Sequence, residues 1–325
     1  MSAQTLGIDV SARWFDVARG AEVRRFPNNA EGIAACLAWM SPLGAPVRAG
    51  MEATGVYHLP LAVALHAAGH AVLVCNPLSI ARYAEAVLAR TKTDATDARL
   101  IARFCGAHDV APWTPPPAAQ QRLRAVLTAR ETLVQERLRL RNRQHAAGYT
   151  AAADVVAELQ APVLAAIETQ IARIDAELAT VARSQTPVGD RIRLLTSIPG
   201  LGLTTAATLL ASLPLDRLRT PRQVAAYVGL CPRERSSGSS VRGRGRVGPL
   251  GPAHLRKALY LPAIVAMRFN PALRAFADRL GAAGKPPKVV ITAVMPKLLL
   301  LAVAILRSGE PFSATHHCPE PFAAT

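Results

Sequence analysis

At 325 residues, half of them hydrophobic, the chain is too long for one typical domain and too apolar for wholesale disorder. Its 38 Lys and Arg against 22 Asp and Glu leave a net charge of +16, a balance suited to a polyanion such as nucleic acid or to an anionic membrane surface. The five cysteines, at 36, 75, 105, 231 and 318, have no paired spacing, which argues for reduced thiols in a cytoplasm over a disulfide framework.

The opening MSAQTLGIDV lacks the basic-then-apolar profile of a secretory leader and runs directly into a strand. Residues 5 to 26 read as three short strands, TLGIDVS, WFDVAR and EVRRF, joined by turn-length gaps. NNAEGIAACLAWM follows as a helix with Asn29 as its N-cap, then a strand VRAGME, a helix LPLAVALHAAG and a strand HAVLVCN. A helix that includes KTDATDARL, residues 92 to 100, completes the set. Three strands in a row and then alternating helices and strands predict an α/β domain over residues 1–113, a mixed sheet of ribonuclease H order flanked by helices.

PWTPPP, residues 112 to 117, cannot be helix and ends that domain. Residues 118–184 are predicted to be a helical or coiled-coil segment. Its first half carries Arg122, Arg124, Arg130, Arg137, Arg139, Arg141 and Arg143, and its second half has a short heptad seam at Ile171, Ile174, Leu178 and Val181. The third region, 190–312, is predicted to be mainly helical. It opens on LLTSIPGLGLTTAATLLASL, the outline of a helix-hairpin-helix whose Gly200 and Gly202 would let backbone N–H groups approach a phosphate. RERSSGSSVRGRGRVGPLG reads as flexible and arginine-dense, and helices are expected from about 253 to 307. The apolar run 289 to 306 has spanning length but carries Pro296 and Lys297 at its middle, so a core helix is expected and no membrane partner. Residues 313–325 read as a disordered tail, and HHC at 316 to 318 lacks the further ligands a zinc site needs.

Four acids stand out. Asp9 follows the apolar TLGI of the first strand and Glu52 closes the fourth; in a sheet of ribonuclease H order these strands are neighbours. Asp94 and Asp97, three apart on a helix, share a face with Cβ atoms roughly 5 to 6 Å apart. Carboxylates facing one point repel unless a cation holds them, and hard oxygen ligands of this kind suit Mg²⁺ or Mn²⁺. Singly, each acid has a simpler reading, as an N-cap, a first-turn acid or a surface partner of arginine. Asp16, on the second strand, is assigned to the surroundings of the site and not to the ligand set.

Asp9, Glu52 and KTDATDA in this order, with IPGLG, AAYVGLCPRERSSGSSVRGRGR, HLRKALYLPA and NPAL further on, closely resemble the DEDD transposases of insertion sequences of the IS110 type. The resemblance runs over roughly residues 5 to 310. It implies a RuvC-like N-terminal domain and a DNA recombinase guided by a structured non-coding RNA, the bridge RNA. It also implies a serine in the C-terminal domain that attacks the scissile phosphate and becomes covalently linked to DNA. The matching position is Ser237, the serine before glycine in RSSG, ahead of its neighbour Ser236. Lys92 belongs to the matched motif, and Arg233, Arg235, Arg242, Arg244 and Arg246 could clamp phosphate oxygens. A homodimer assembling to a homotetramer, with acids and serine from different subunits in one composite site, is what the resemblance implies for assembly. The chain departs from the usual pattern at Gly248, Pro249, Gly251 and Pro252, and at Pro296, where an arginine is common. The alternatives are a metal-dependent junction endonuclease using the acids and water alone, and a silent nucleic-acid-binding relative. For RNA the arginine-rich segment 122 to 143 is the expected contact, through the backbone, since aromatics are only 5% of the chain.

Overall fold

The computed structural model describes residues 4–43, 46–53, 55–88, 93–151, 153–237, 241–247 and 251–314, with the backbone alone at 232–237 and 241–247. The chain divides into two compact units, Met1–Pro116 and Pro117–Thr325.

The first unit is mixed α/β. Strands β1 (Thr5–Val10), β2 (Trp14–Arg19) and β3 (Glu22–Pro27) are followed by α1 (Ala30–Met40), β4 (Arg48–Glu52), α2 (Leu59–Ala67), β5 (Ala71–Cys75), α3 (Pro77–Ala86) and α4 (Asp94–Ala107). The five strands form one sheet in the order β3-β2-β1-β4-β5. β1, β2 and β3 pair antiparallel, whereas β4 runs parallel to both β1 and β5. The first and fourth strands are therefore neighbours, as the strand order predicts.

Alternation along β1 separates two jobs. Leu6, Ile8 and Val10 pack with Cys36 and Met40 of α1 and Leu61 and Leu65 of α2 in one core. Gly7 and Asp9 take the opposite face, the one α4 covers. Gly7 stands opposite Gly50 of β4. A Cβ on Gly7 would lie 2.0 Å from the Ala98 carbonyl oxygen, and one on Gly50 would lie 2.4 Å from Cys105 Sγ. The glycine pair is a notch that lets α4 rest directly on the sheet.

The single helix expected around KTDATDARL is two. Past α3, Leu88 turns to a positive φ of 53°, which ends regular helix there. α4 then starts afresh from Thr93, whose hydroxyl accepts from the Thr96 N–H while Thr96 reaches back to the Thr93 N–H, a closed capping box. Asp94 is thus the first residue of a new helix.

The second unit begins with two long helices, α5 (Ala118–Ala147) and α6 (Ala153–Arg183), and continues with α7 (Pro187–Thr196), α8 (Leu203–Ser212) and α9 (Pro221–Val228). Strands β6 (Pro232–Ser237) and β7 (Val241–Val247) pair antiparallel, and α10 (Ala253–Phe269), α11 (Pro271–Ala282) and α12 (Pro287–Ser308) close the unit. The paired strands correct the expectation of flexibility at 233–237 and 241–247, while 238–240 and 248–250 lie outside the described residues. The sequence alternates with period two on both arms, Arg-x-Arg before the serines and Val-Arg-Gly-Arg-Gly-Arg-Val after, a pattern hidden by the glycines and serines between them.

Val294, Leu298, Leu299, Ala302 and Ile305 of α12 form the core of this unit with Leu255, Leu259 and Ala263 of α10 and Ile192 and Leu195 of α7. α6 and α12 are both long and apolar enough to cross a membrane by length and composition, and half of the apolar window of α12 is buried inside this core. On α6 the seam residues Ile171 and Leu178 are buried, the latter packed with Leu123 of α5 and Ala207 and Ala211 of α8. The predicted tail begins at 313, and of it residues 315–325, with the HHC run, lie outside the described residues.

Candidate active site

Register builds one transverse row of polar side chains. Arg25 of β3 is the partner of Asp16 of β2, and Asp16 is the partner of Asp9 of β1. The parallel pairing of β1 with β4 matches Ile8 to Met51, so the next step brings Asp9 level with Glu52, which is itself paired with Cys75 of β5. Cross-strand partners lie on one face of a sheet, and here it is the face beneath α4. The first turn of α4 carries Asp94 and Asp97, while Ala98 and Ala102, a turn further on, rest on Gly7. Asp9, Glu52, Asp94 and Asp97 are thereby gathered at the end of the sheet where β1 and β4 finish.

The convergence is visible in the acidity of Asp9. Burial pushes its carboxyl up from 3.8 to about 6, and the negative charges of Asp97, Asp94, Glu52 and Asp16 add to that effect in this order. Three or more carboxylates around a half-buried fourth make a place where a hard cation would be attracted, and an all-oxygen donor set fits Mg²⁺ or Mn²⁺ in chemistry. Among the described residues, no three His, Cys, Asp or Glu side chains close on a single point at ligating distance.

Arg25 engages the acids instead. Its Nε donates to Asp16 Oδ1 at 3.0 Å and its Nη2 donates to Asp16 Oδ2 at 2.8 Å and to Asp94 Oδ2 at 2.6 Å. Asp16, 5% exposed, is buried by the sheet and α4, and the bidentate guanidinium is what makes burial of its charge tolerable. Sequence reasoning set Asp16 aside and overlooked Arg25. What brings Asp9, Asp16 and Arg25 together is the register of the β1–β2 and β2–β3 pairs, which the sequence pattern leaves open.

Ser237 and the arginines Arg233, Arg235, Arg242, Arg244 and Arg246 lie on β6 and β7, where the backbone alone is described. Ser237 pairs with Val241, Ser236 pairs with Arg242, and Arg233 pairs with Arg246. The base of this ribbon is fixed by a residue the sequence did not flag. Arg256 of α10 donates to the Val228 carbonyl at 3.1 Å and to the Gly251 carbonyl at 2.9 Å, tying together the segments that enter and leave the two strands. Gly251, one of the departures from the family pattern, has φ +87° and would bring a Cβ to 2.3 Å from the Tyr227 carbonyl oxygen, so only glycine fits there. Pro252 is the N-cap residue of α10, Pro296 lies inside α12, and Gly248 and Pro249 lie outside the described residues.

Gly200 and Gly202 sit between α7 and α8. Gly200 has φ +106° and its missing Cβ would meet Ala266 of α10 at 2.7 Å, so close packing accounts for it. Gly202 is the N-cap of α8, where no side chain satisfies the first N–H groups. Lys92 lies outside the described residues. The seven arginines of α5 divide into two groups. Arg130 holds Asp175 of α6 with both arms at 2.6 and 3.0 Å, Arg141 holds Glu168 at 2.6 Å, Arg122 reaches Glu177 at 3.4 Å, and Arg139 pairs with Glu136. Arg124, Arg137 and Arg143 form no ion pair among the described residues, so the charge available to a polyanion is narrower than the count of seven suggests.

Two family models match the chain: one described as Transposase, of the DEDD type of IS110, over residues 6–147, and one described as Transposase IS116/IS110/IS902 family over residues 192–278. The chain is 30% identical over 326 residues to the "Pilin gene-inverting protein" of Moraxella bovis, covering 98% of this chain and 100% of that protein. The protein of the same name from Moraxella lacunata matches to the same extent. The "Insertion element IS110 uncharacterized 43.6 kDa protein" of Streptomyces coelicolor is 32% identical over 163 residues, 49% of this chain and 38% of that one.

Proposed function

The chain belongs to the IS110 family of transposases, an enzyme acting on DNA, and on that premise we propose that it cuts and rejoins DNA strands with two sets of groups, a carboxylate cluster and a serine. The observation that carries the reading is the gathering of Asp9, Glu52, Asp94 and Asp97 above one end of the sheet, with Asp9 pushed up to about 6 by burial and by its acidic neighbours. Such an arrangement stores repulsion that a divalent cation would relieve. Asp9, Glu52, Asp94 and Asp97 would hold Mg²⁺ or Mn²⁺, which when bound supplies charge neutralisation at the scissile phosphate and lowers the pKa of a coordinated hydroxyl.

The covalent step is assigned to Ser237. Its hydroxyl attacks the phosphorus, the proton passes to a base, and a sugar hydroxyl leaves as the phosphoserine ester forms. Attack on that ester by another strand's sugar hydroxyl releases the serine. The number of phosphoester bonds is unchanged, so exchange needs no nucleotide triphosphate. Ser237 lies at the end of the described β6 pairing, opposite Val241, and the end of a two-stranded ribbon suits a group that must reach a DNA strand.

Guidance by a bridge RNA and assembly into a homotetramer belong to the same proposal and rest on the family resemblance. Two relatives spanning the whole chain are named for inverting a pilin gene, which favours site-specific rearrangement over random cutting. The test is strand cleavage of element-end DNA with the flanking RNA, in Mg²⁺ and in EDTA. Cleavage that needs Mg²⁺ and RNA and is lost in Asp9→Asn is expected; equal cleavage by Asp9→Asn, or in EDTA, overturns the metal reading. A junction endonuclease would cleave without RNA and without a protein–DNA adduct.

A further inference from the structure

Asp94 occupies the first position of α4, and its side chain is 60% exposed. Nothing in its own helix directs it toward the sheet: the capping box is built by Thr93 and Thr96 alone. What does reach it is Arg25, two strands away from Asp9, through a single short bond at 2.6 Å to Oδ2. Arg25 is itself immobilised by two further bonds to Asp16, and Asp16 is buried and fixed by its place in β2. The chain of contacts therefore runs from a rigid strand, through a planar guanidinium, to a carboxylate that would otherwise wander in solvent.

We propose that Arg25, held by Asp16, is the positioning residue that keeps Asp94 over the carboxylate row and so completes the cation site. This rests on the metal reading above. The geometry suits the task, because Arg25 engages only Oδ2 of Asp94 and leaves Oδ1 for a cation. Groups that orient metal ligands from behind typically contribute about 10- to 100-fold in metal affinity. A lysine at this position keeps the charge but cannot bridge two carboxylates with a fixed plane.

Mn²⁺ binding to the full-length protein, followed by the loss of the free-ion electron paramagnetic signal, reads the effect without any reaction. Because Arg25→Met alone strands the buried Asp16 charge and threatens folding, the informative variants are Arg25→Lys and the double change Arg25→Met with Asp16→Leu, which removes charge and clamp together. Both are expected to weaken Mn²⁺ binding about tenfold or more while the double variant melts near the wild type. Adding Asp94→Asn to either should cost little further, since Arg25 acts through Asp94. Wild-type affinity in both variants, or tighter binding, overturns the assignment, and tighter binding would identify Arg25 as a competitor of the ion. If the wild type itself takes up no Mn²⁺, the metal reading falls and this inference with it, so the two failures are told apart by the wild-type curve.

Discussion

At the residue scale the site is dominated by one carboxyl in a hostile environment. Asp9 titrates at 3.8 when unfolded and at about 6 when folded, so between those values the folded state binds more protons than the unfolded one. Stability is then highest on the acidic side of the window and declines as pH rises through about 6, because each step removes a proton that shields the cluster. In EDTA, the thermal midpoint of the full chain should fall as pH is raised across this window, and Asp9→Asn should lack that component; partial exposure of the group moderates its size. Parallel pH profiles for the two proteins would contradict the electrostatic picture. Added Mg²⁺ should raise the wild-type midpoint above pH 6 more than that of the Asn variant. The four acids were legible in the sequence because each sits at the end or start of a recognisable element. Arg25 and the closeness of Asp16 were not, because they depend on strand register, which a single residue's slip would reverse.

At the scale of elements, two joints position the groups proposed to react. The first is the contact of α4 with β1 and β4 through Gly7 and Gly50. Gly7→Ala would drive a methyl carbon into the backbone of Ala98 and Ala102, where nothing flexible can yield. A loss of about 3 kcal/mol is expected, at the upper end of overpacking costs, with metal-dependent cleavage lost as α4 lifts. Gly106→Ala, on the same helix with open space around it, should be neutral or slightly stabilising, and equal effects of the two changes on the melting temperature would refute the notch. The second joint is Arg256. Arg256→Met removes two charge-assisted bonds to carbonyls, a loss of about 1.5–3 kcal/mol each at most, and frees the base of the ribbon that carries Ser237. DNA binding should survive better than strand cutting; equal losses would assign Arg256 a general folding role. The strands of the first unit and its helices α1 and α2 follow their sequence signals, Asn29 capping α1 as expected, whereas α3 and α4 divide what reads as one helix. The β6–β7 pair escaped notice because glycine and serine, five of the six residues from 236 to 241 with Val241 the exception, imitate a linker.

At the scale of the whole molecule, the net charge of +16 is spent unevenly. Four of the seven α5 arginines are committed to acids, three of them stitching α5 to α6, which composition alone could not reveal. Changing Arg124, Arg137 and Arg143 to Gln should weaken nucleic-acid binding and reduce the salt dependence by about one counterion per lost phosphate contact. Arg130→Gln should instead lower the melting temperature by breaking the bidentate pair with Asp175, leaving the salt slope near the wild type. A reversed pattern would place the polyanion elsewhere. The central claim, that this transposase exchanges strands through serine with carboxylates in support, is tested most directly by trapping the intermediate. Purified protein, flanking RNA, Mg²⁺ and end-labelled target DNA are combined, denatured and separated, comparing wild type with Ser237→Ala. Labelled DNA covalently attached to the wild-type protein and none to Ser237→Ala is the expected result; cleaved DNA without any adduct, or an adduct that persists in Ser237→Ala, rules out Ser237 as the nucleophile.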